Sequence, residues 1–135
     1  MDKIIRKGIA FDAKVLRQFD DLIREKGYKN RSEAIRDLVR MELVEQEMQN
    51  PEAQMMGTLT IVYEHHRHHV QDELTHIQHH HPDLIRSSLH IHINPDNCLE
   101  VIVLEGMVKN IQKLADEIIA AKGVKYGKIV MTSLT

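Results

Sequence analysis

The spacing of apolar positions changes period several times along the chain, and each change marks an element. Residues 4–11 alternate roughly, with Ile5, Ile9 and Phe11 on one face and Arg6, Gly8 and Ala10 on the other, although Lys7 interrupts the alternation. A short strand is predicted there. From about residue 13, Val15, Leu16, Phe19, Leu22 and Ile23 recur at helical spacing, and Gly27 with Tyr28 stops that helix. Asn30 and Glu33 make a capping-box-like start to a second helix, whose stripe includes Ile35, Leu38, Val39 and Val44.

Asn50-Pro51 in a polar stretch marks a boundary, so residues 1–50 form one domain, 51–56 a linker and 57–135 a second domain. In the second domain the pattern predicts strand 57–66, helix 68–81, strands 86–93 and 98–105, helix 107–122 and strand 126–133. Val70, Leu74 and Ile77 form the first helical stripe, and Val108, Ile111, Leu114, Ala115, Ile118 and Ile119 the second. That order is the ferredoxin-like βαββαβ unit, with both helices on one sheet face. The expected fold class is therefore α+β. The histidines are expected on the uncovered face, where sheets of different subunits would meet.

One strand and two helices in fifty residues cannot close a core, because the strand lacks a partner and the stripes have nothing to cover. An intertwined dimer solves this by pairing two strands into an antiparallel ribbon that fits the DNA major groove. The charge is distributed compatibly. Residues 1–40 carry 11 Lys and Arg against 7 Asp and Glu, while residues 41–135 carry 7 against 13. Polyanion contact is thus expected from the first forty residues. No apolar run is long enough to cross a bilayer and the start is not signal-like, so the sequence reads as cytoplasmic, and its one cysteine excludes an internal disulfide framework.

The chemistry concentrates between Gln78 and Cys98, in QHHHPDL followed by LHIHINPDNCLE. His90 and His92 lie two apart in an alternating strand, and Asn94-Pro95-Asp96-Asn97 is turn chemistry leading into a second strand. An odd connection sets His92 opposite Cys98 on one face; an even one turns the sulfur away. With the odd connection, Glu100 shares the face and is placed to accept a hydrogen bond from a ligating imidazole. Two imidazoles beside a thiolate suit a transition metal.

The opening strand, the two helices and the segment Gly-Tyr-Lys-Asn-Arg-Ser-Glu-Ala-Ile-Arg-Asp-Leu resemble a ribbon-helix-helix repressor. Together with the histidine-cysteine pattern, nearly the whole chain resembles the nickel-responsive transcriptional regulators (NikR), whose second domain is ACT-like. The resemblance implies a homotetramer, a dimer of dimers, that binds palindromic half-sites in double-stranded DNA and represses nickel-uptake genes when nickel is bound. Carried over by position, it implies one Ni(II) per subunit held by His90, His92 and Cys98, with His79 from a neighbouring subunit. It implies base contacts from Arg6, Gly8 and Ala10, of which only Arg6 is able to make a bidentate contact to guanine, and phosphate contacts from Asn30, Arg31 and Ser32.

The resemblance also places a hard cation, such as K+, at Glu33 and Asp37; an acidic helix face is the equal alternative. His65 falls where the family has a histidine linked to secondary metal binding, and His76 is a competitor under metal overload. The rest of the cluster His65-His66-Arg67-His68-His69 reads as exposed loop and helix start, with Arg67 a candidate phosphate contact; His80 and His81 read as solvent-facing. Tyr63 reads as a packed strand residue, and Met55-Met56 as linker or filler. Two other functions compete. A ribbon-helix-helix regulator of an organic effector, or of another transition metal, has no need of this ligand set. A metalloenzyme lacks both an open metal position and a general base other than Glu100.

Overall fold

The computed structural model describes residues 2–66 and 69–134. Arg67 and the expected helix start at His68 lie outside them. The chain divides into two compact units, Met1–Leu43 and Val44–Thr135.

In the first unit, residues 2–12 are exposed and without regular secondary structure, so the expected strand 4–11 is absent from the isolated chain. A strand needs a ladder partner, and one protomer contains none. Helix α1 spans Ala13–Glu25, with Asp12 accepting the Val15 amide at 2.9 Å as its N-cap. Gly27 ends it at φ +83°, while the Tyr28 amide bonds back to the Ile23 carbonyl and the Gly27 amide to Arg24. That closing pair needs the left-handed conformation glycine adopts freely. Helix α2, Arg31–Met48, begins as predicted, with Asn30 Oδ1 accepting the Glu33 amide at 2.9 Å. Among the described residues of this unit only Ile23 and Ala34 are buried, whereas Ile4, Ile5, Ile9, Val15, Leu38 and Val39 are exposed. Two buried residues do not sustain a domain, which is why the stripes demand a second copy.

The second unit carries a four-stranded antiparallel sheet of order β2-β3-β1-β4, from β1 (Gln54–Glu64), β2 (Ile85–His92), β3 (Asn97–Met107) and β4 (Val124–Ser133). Helices α3 (Val70–His79) and α4 (Val108–Ile119) complete the βαββαβ order. The fold is α+β, as expected. The first strand begins at Gln54 within the expected linker, and Met55 is fully buried in the core.

Register decides which face is covered. Leu59 pairs with Ile102 and Ile129, and Tyr63 with Cys98, so Met55, Leu59, Ile61, Tyr63, Cys98, Ile102 and Leu104 form the inner layer. Val70, Leu74 and Ile77 of α3 and Ile111, Leu114 and Ile118 of α4 belong to the same core. His92 pairs with Cys98 and His90 with Glu100, which puts both imidazoles on the helix-covered side. The expectation that the uncovered face carries the histidines is therefore corrected. The open face instead carries exposed Leu89, Ile91, Tyr126 and Val130, because the core requires Ile102 and Leu104 inward and two-residue periodicity then fixes every neighbour.

Candidate functional site

Five residues, 93–97, lie between the paired His92 and Cys98, the odd connection, so the chain's one thiol faces the strand histidines. Asn94 builds the turn, its Oδ1 accepting the Asp96 and Asn97 amides at 2.9 Å. The Asn97 side chain accepts Lys125 Nζ at 2.8 Å. The His65 amide donates to the Asp96 carbonyl at 2.7 Å, fastening the chain after β1 to this turn.

These constraints bring His65, His92 and Cys98 together, with one ligand atom of each within 4.8 Å of the others. Cys98 Sγ lies 3.2 Å from His65 Nδ1 and 3.6 Å from His92 Nδ1. With metal–sulfur and metal–nitrogen bonds of about 2.3 and 2.05 Å, a shared ion sets S···N near ~3.1 Å for a right angle and ~3.6 Å for a tetrahedral one. Both sulfur–nitrogen spacings fall within that span, and two borderline nitrogens with a soft sulfur are donors that a late first-row divalent ion takes. Burial, and then the charge of Glu100, push the Cys98 thiol above its ordinary value, so metal binding must displace a proton.

His90 stands apart from this cluster. Its Nε2 lies 3.2 Å from the Tyr63 hydroxyl, although its ring is only 5.2 Å from that of His92. Tyr63 is 2% exposed and its phenol is pushed up to about 12, chiefly by burial and then by the charges of Glu100 and Cys98. Sequence reasoning cast Tyr63 as packing, and it does pack, yet it also holds an expected ligand. Its signal was position, directly opposite Cys98 in the ladder. Glu100 does not take the expected bond from an imidazole; its Oε2 accepts Gln78 Nε2 at 3.4 Å. Burial raises its pKa, while Gln78 and the nearby His90 oppose the rise.

His79 is exposed at the end of α3, outside the cluster formed within one chain. One turn earlier, the His76 ring packs against that of His80, tilted by 53° with centroids 4.2 Å apart, and His80 Nδ1 lies 3.0 Å from the His76 carbonyl. His80 is exposed, as expected, and its ring also contacts its own helix. His81 is half-buried, 3.7 Å from Glu117. His66 lies 3.2 Å from Asp96.

The family described as the NikR C-terminal nickel binding domain matches residues 56–132, and the ribbon-helix-helix, copG family matches residues 8–46. The chain belongs to the NikR family. It is 50% identical over 133 residues to a protein of Geobacter sulfurreducens described as a nickel-responsive regulator, covering 98% of this chain and 96% of the relative. A Trichlorobacter lovleyi protein of the same description is 49% identical, covering 100% and 97%. One from Caldanaerobacter subterraneus is 45% identical, covering 98% and 86%. NikR proteins are regulators, not enzymes, which sets the metalloenzyme alternative aside. An uncharacterized protein from Thermotoga maritima superposes with a TM-score of 0.54 at 20% identity, over 59% of this chain and 99% of that one, and shares the fold of the second unit.

In the ribbon-helix-helix unit, Arg6, Gly8 and Ala10 are exposed in the irregular opening segment, and Asn30, Arg31 and Ser32 are exposed at the start of α2. Two of the expected phosphate contacts have other work in the isolated chain. Arg31 forks onto Asp20, both N···O distances being 2.8 Å, and Asn30 caps α2. Both Asp37 oxygens are also engaged, Oδ2 by the Tyr28 hydroxyl at 2.7 Å and Oδ1 by Arg40 at 3.0 Å. Among the described residues no helix is long and apolar enough to cross a membrane.

Proposed function

We propose that this chain is a nickel-dependent, DNA-binding transcriptional regulator whose second domain holds one Ni(II) per subunit at a subunit boundary and which represses nickel-uptake genes in the cytoplasm. The observation that carries this is the register that sets Cys98 opposite His92 with Sγ 3.6 Å from the imidazole nitrogen. His90, His92 and Cys98 of one subunit with His79 of a neighbour make a nitrogen-rich set with one thiolate, which suits the planar coordination of Ni(II) or Cu(II) better than tetrahedral Zn(II). Within the single chain His79 is not part of the cluster, so completion of the set calls for a second subunit.

The exposed apolar sheet face, Leu89, Ile91, Tyr126 and Val130, supports association of these domains, and the exposed stripes of the first unit support the ribbon dimer. A homotetramer built as a dimer of dimers satisfies both. It presents two ribbons to palindromic half-sites of double-stranded DNA. Ligation by His79 ties α3 of one subunit to the β2–β3 hairpin of its neighbour and favours the arrangement competent for both half-sites. To turn a mostly incompetent population into a mostly competent one, nickel must prefer that arrangement by roughly 5 kcal/mol. Arg31, when used on phosphate, exchanges Asp20 for the backbone, and a hard cation such as K+ at Glu33 and Asp37 displaces Arg40. Sensing of an organic effector has no need of the two imidazoles and the thiol that converge at His65, His92 and Cys98.

An electrophoretic mobility assay on metal-free protein, at fixed salt with each divalent metal added in turn, tests the proposal. Nickel should promote binding to one operator, and His79→Ala should abolish that response. Undiminished nickel affinity and unchanged DNA affinity in His79→Ala would remove the cross-subunit site.

A further inference from the structure

His76 lies in the last turn of α3 and His80 caps its carboxy-terminal end, a spacing of four that puts both side chains on one helical face. The backbone is helical through both, since His80 has φ −80° and ψ −9° and its amide bonds to the His76 carbonyl at 3.3 Å. Both residues are exposed, and their ring centroids lie 4.2 Å apart. Two imidazoles on one ion, with metal–nitrogen bonds of about 2.05 Å, set their centroids ~4.5 Å apart for a right angle and ~5.2 Å for a tetrahedral one. The observed spacing is nearer the right angle. One ring is also prepared for a metal: a carbonyl only accepts, so the 3.0 Å contact from His80 Nδ1 to the His76 carbonyl keeps the ring proton on Nδ1 and leaves the Nε2 lone pair free. The partial negative charge at the end of a helix favours a cation there, and Asp72, one further turn back, adds a carboxylate to the same face.

We propose that His76 and His80 form an open two-imidazole site on the surface of α3 for a late first-row divalent ion, Cu(II) more tightly than Ni(II). Binding forms two metal–nitrogen bonds, displaces two waters from the hydrated ion and releases no proton from the neutral rings. The remaining coordination positions stay with water, so this site exchanges its ion with solvent, unlike a closed set of four protein ligands. It contains no sulfur and shares no ligand with His79, His90, His92 and Cys98. It therefore stands or falls apart from the nickel-sensing function proposed above.

Nickel sulfate titrated into full-length metal-free protein, read by calorimetry and by the near-ultraviolet thiolate-to-nickel charge-transfer band, tests the site. A step that raises the band reports Cys98, whereas the His76–His80 site should appear as a separate step that leaves the band unchanged. His76→Ala and His80→Ala should each weaken that second step at least about tenfold, and the double variant should lose little more than either single one, because one imidazole is not a chelate. His69→Ala, which removes an exposed histidine outside the pair, should leave the step as it is. Alanine favours the helix, so loss of binding in these variants does not report unfolding. An unaltered second step in either single variant, or an equal loss in His69→Ala, would overturn the site while leaving the nickel-sensing function intact. A second step that disappears in His76→Ala and in His80→Ala, in protein that never develops the thiolate band, would sustain the site and overturn the nickel-sensing function instead.

Discussion

Gly123 sits where two separate demands for glycine coincide, and replacing it should show how tightly α3 is held against the sheet. Its φ is +95°, and a Cβ added there would stand 2.2 Å from Val70 Cγ2, at the first residue of α3, whose side chain is 3% exposed. Its carbonyl accepts the Glu64 amide at 3.0 Å, one residue before His65. Forcing an L-residue into positive φ costs about 1–2 kcal/mol, and overpacking a filled core costs about 1–3 kcal/mol. Gly123→Ala should therefore lose roughly 2–5 kcal/mol, a shift of about 1–2.5 M in the urea midpoint at a slope of about 2 kcal/mol/M. Two other glycines separate the contributions. Gly27 has φ +83° with nothing within 4 Å of an added Cβ, so Gly27→Ala should show the conformational cost without the clash. Gly8 has neither feature, and Gly8→Ala should change stability by less than about 0.5 kcal/mol. Far-ultraviolet circular dichroism during urea unfolding, at one protein concentration because the chain associates, measures all three. The reasoning fails if Gly123→Ala is no more destabilised than Gly27→Ala.

Ile9 is 63% exposed in the isolated chain, and Ile9→Asp should prevent pairing of the opening segments and abolish DNA binding while leaving nickel binding unchanged, as read by sedimentation velocity, mobility shift and nickel titration. The Arg31 guanidinium beside Asp20 holds that carboxyl below the usual carboxylate range. Because the folded pKa is the lower one, the contribution of Asp20 to stability is present above about pH 4 and disappears as pH falls through the folded value. Asp20→Asn should flatten that acid limb and, by removing the competitor for Arg31, raise DNA affinity at fixed salt, whereas Arg31→Ala should reduce the slope of log affinity against log salt by about one phosphate contact; an unchanged slope in Arg31→Ala would show that Arg31 does not reach DNA. Cys98→Ser should keep the fold, since the side chains are close in shape, and should eliminate the charge-transfer band on nickel addition; a retained band would exclude the sulfur as ligand.

Local pattern was enough to determine much of this protein. The order of elements in the second unit, the stop at Gly27, the cap at Asn30 and the antiparallel hairpin around Asn94 all follow from periodicity and turn chemistry, which act over a few residues. The pairing of His92 with Cys98 was legible as a condition, an odd connection, because side chains on a strand alternate strictly. The need for a second copy was legible as well, since the first fifty residues carry apolar stripes that one chain leaves uncovered.

Tertiary structure decided the rest, and the reason is the same in each case. Which sheet face the helices cover depends on all four strands together, and the large inward residues Leu59, Ile61, Ile102 and Leu104 overrode the impression that Ile91 and its neighbours belong inside. His65 joins Cys98 across 33 positions of sequence only because β1 lies next to β3 and the chain after β1 is fastened to the β2–β3 turn. Tyr63 meets His90 across 27 positions by the same adjacency. Periodicity says which side of its own strand a residue occupies, whereas only the packed sheet says which distant residue it meets there.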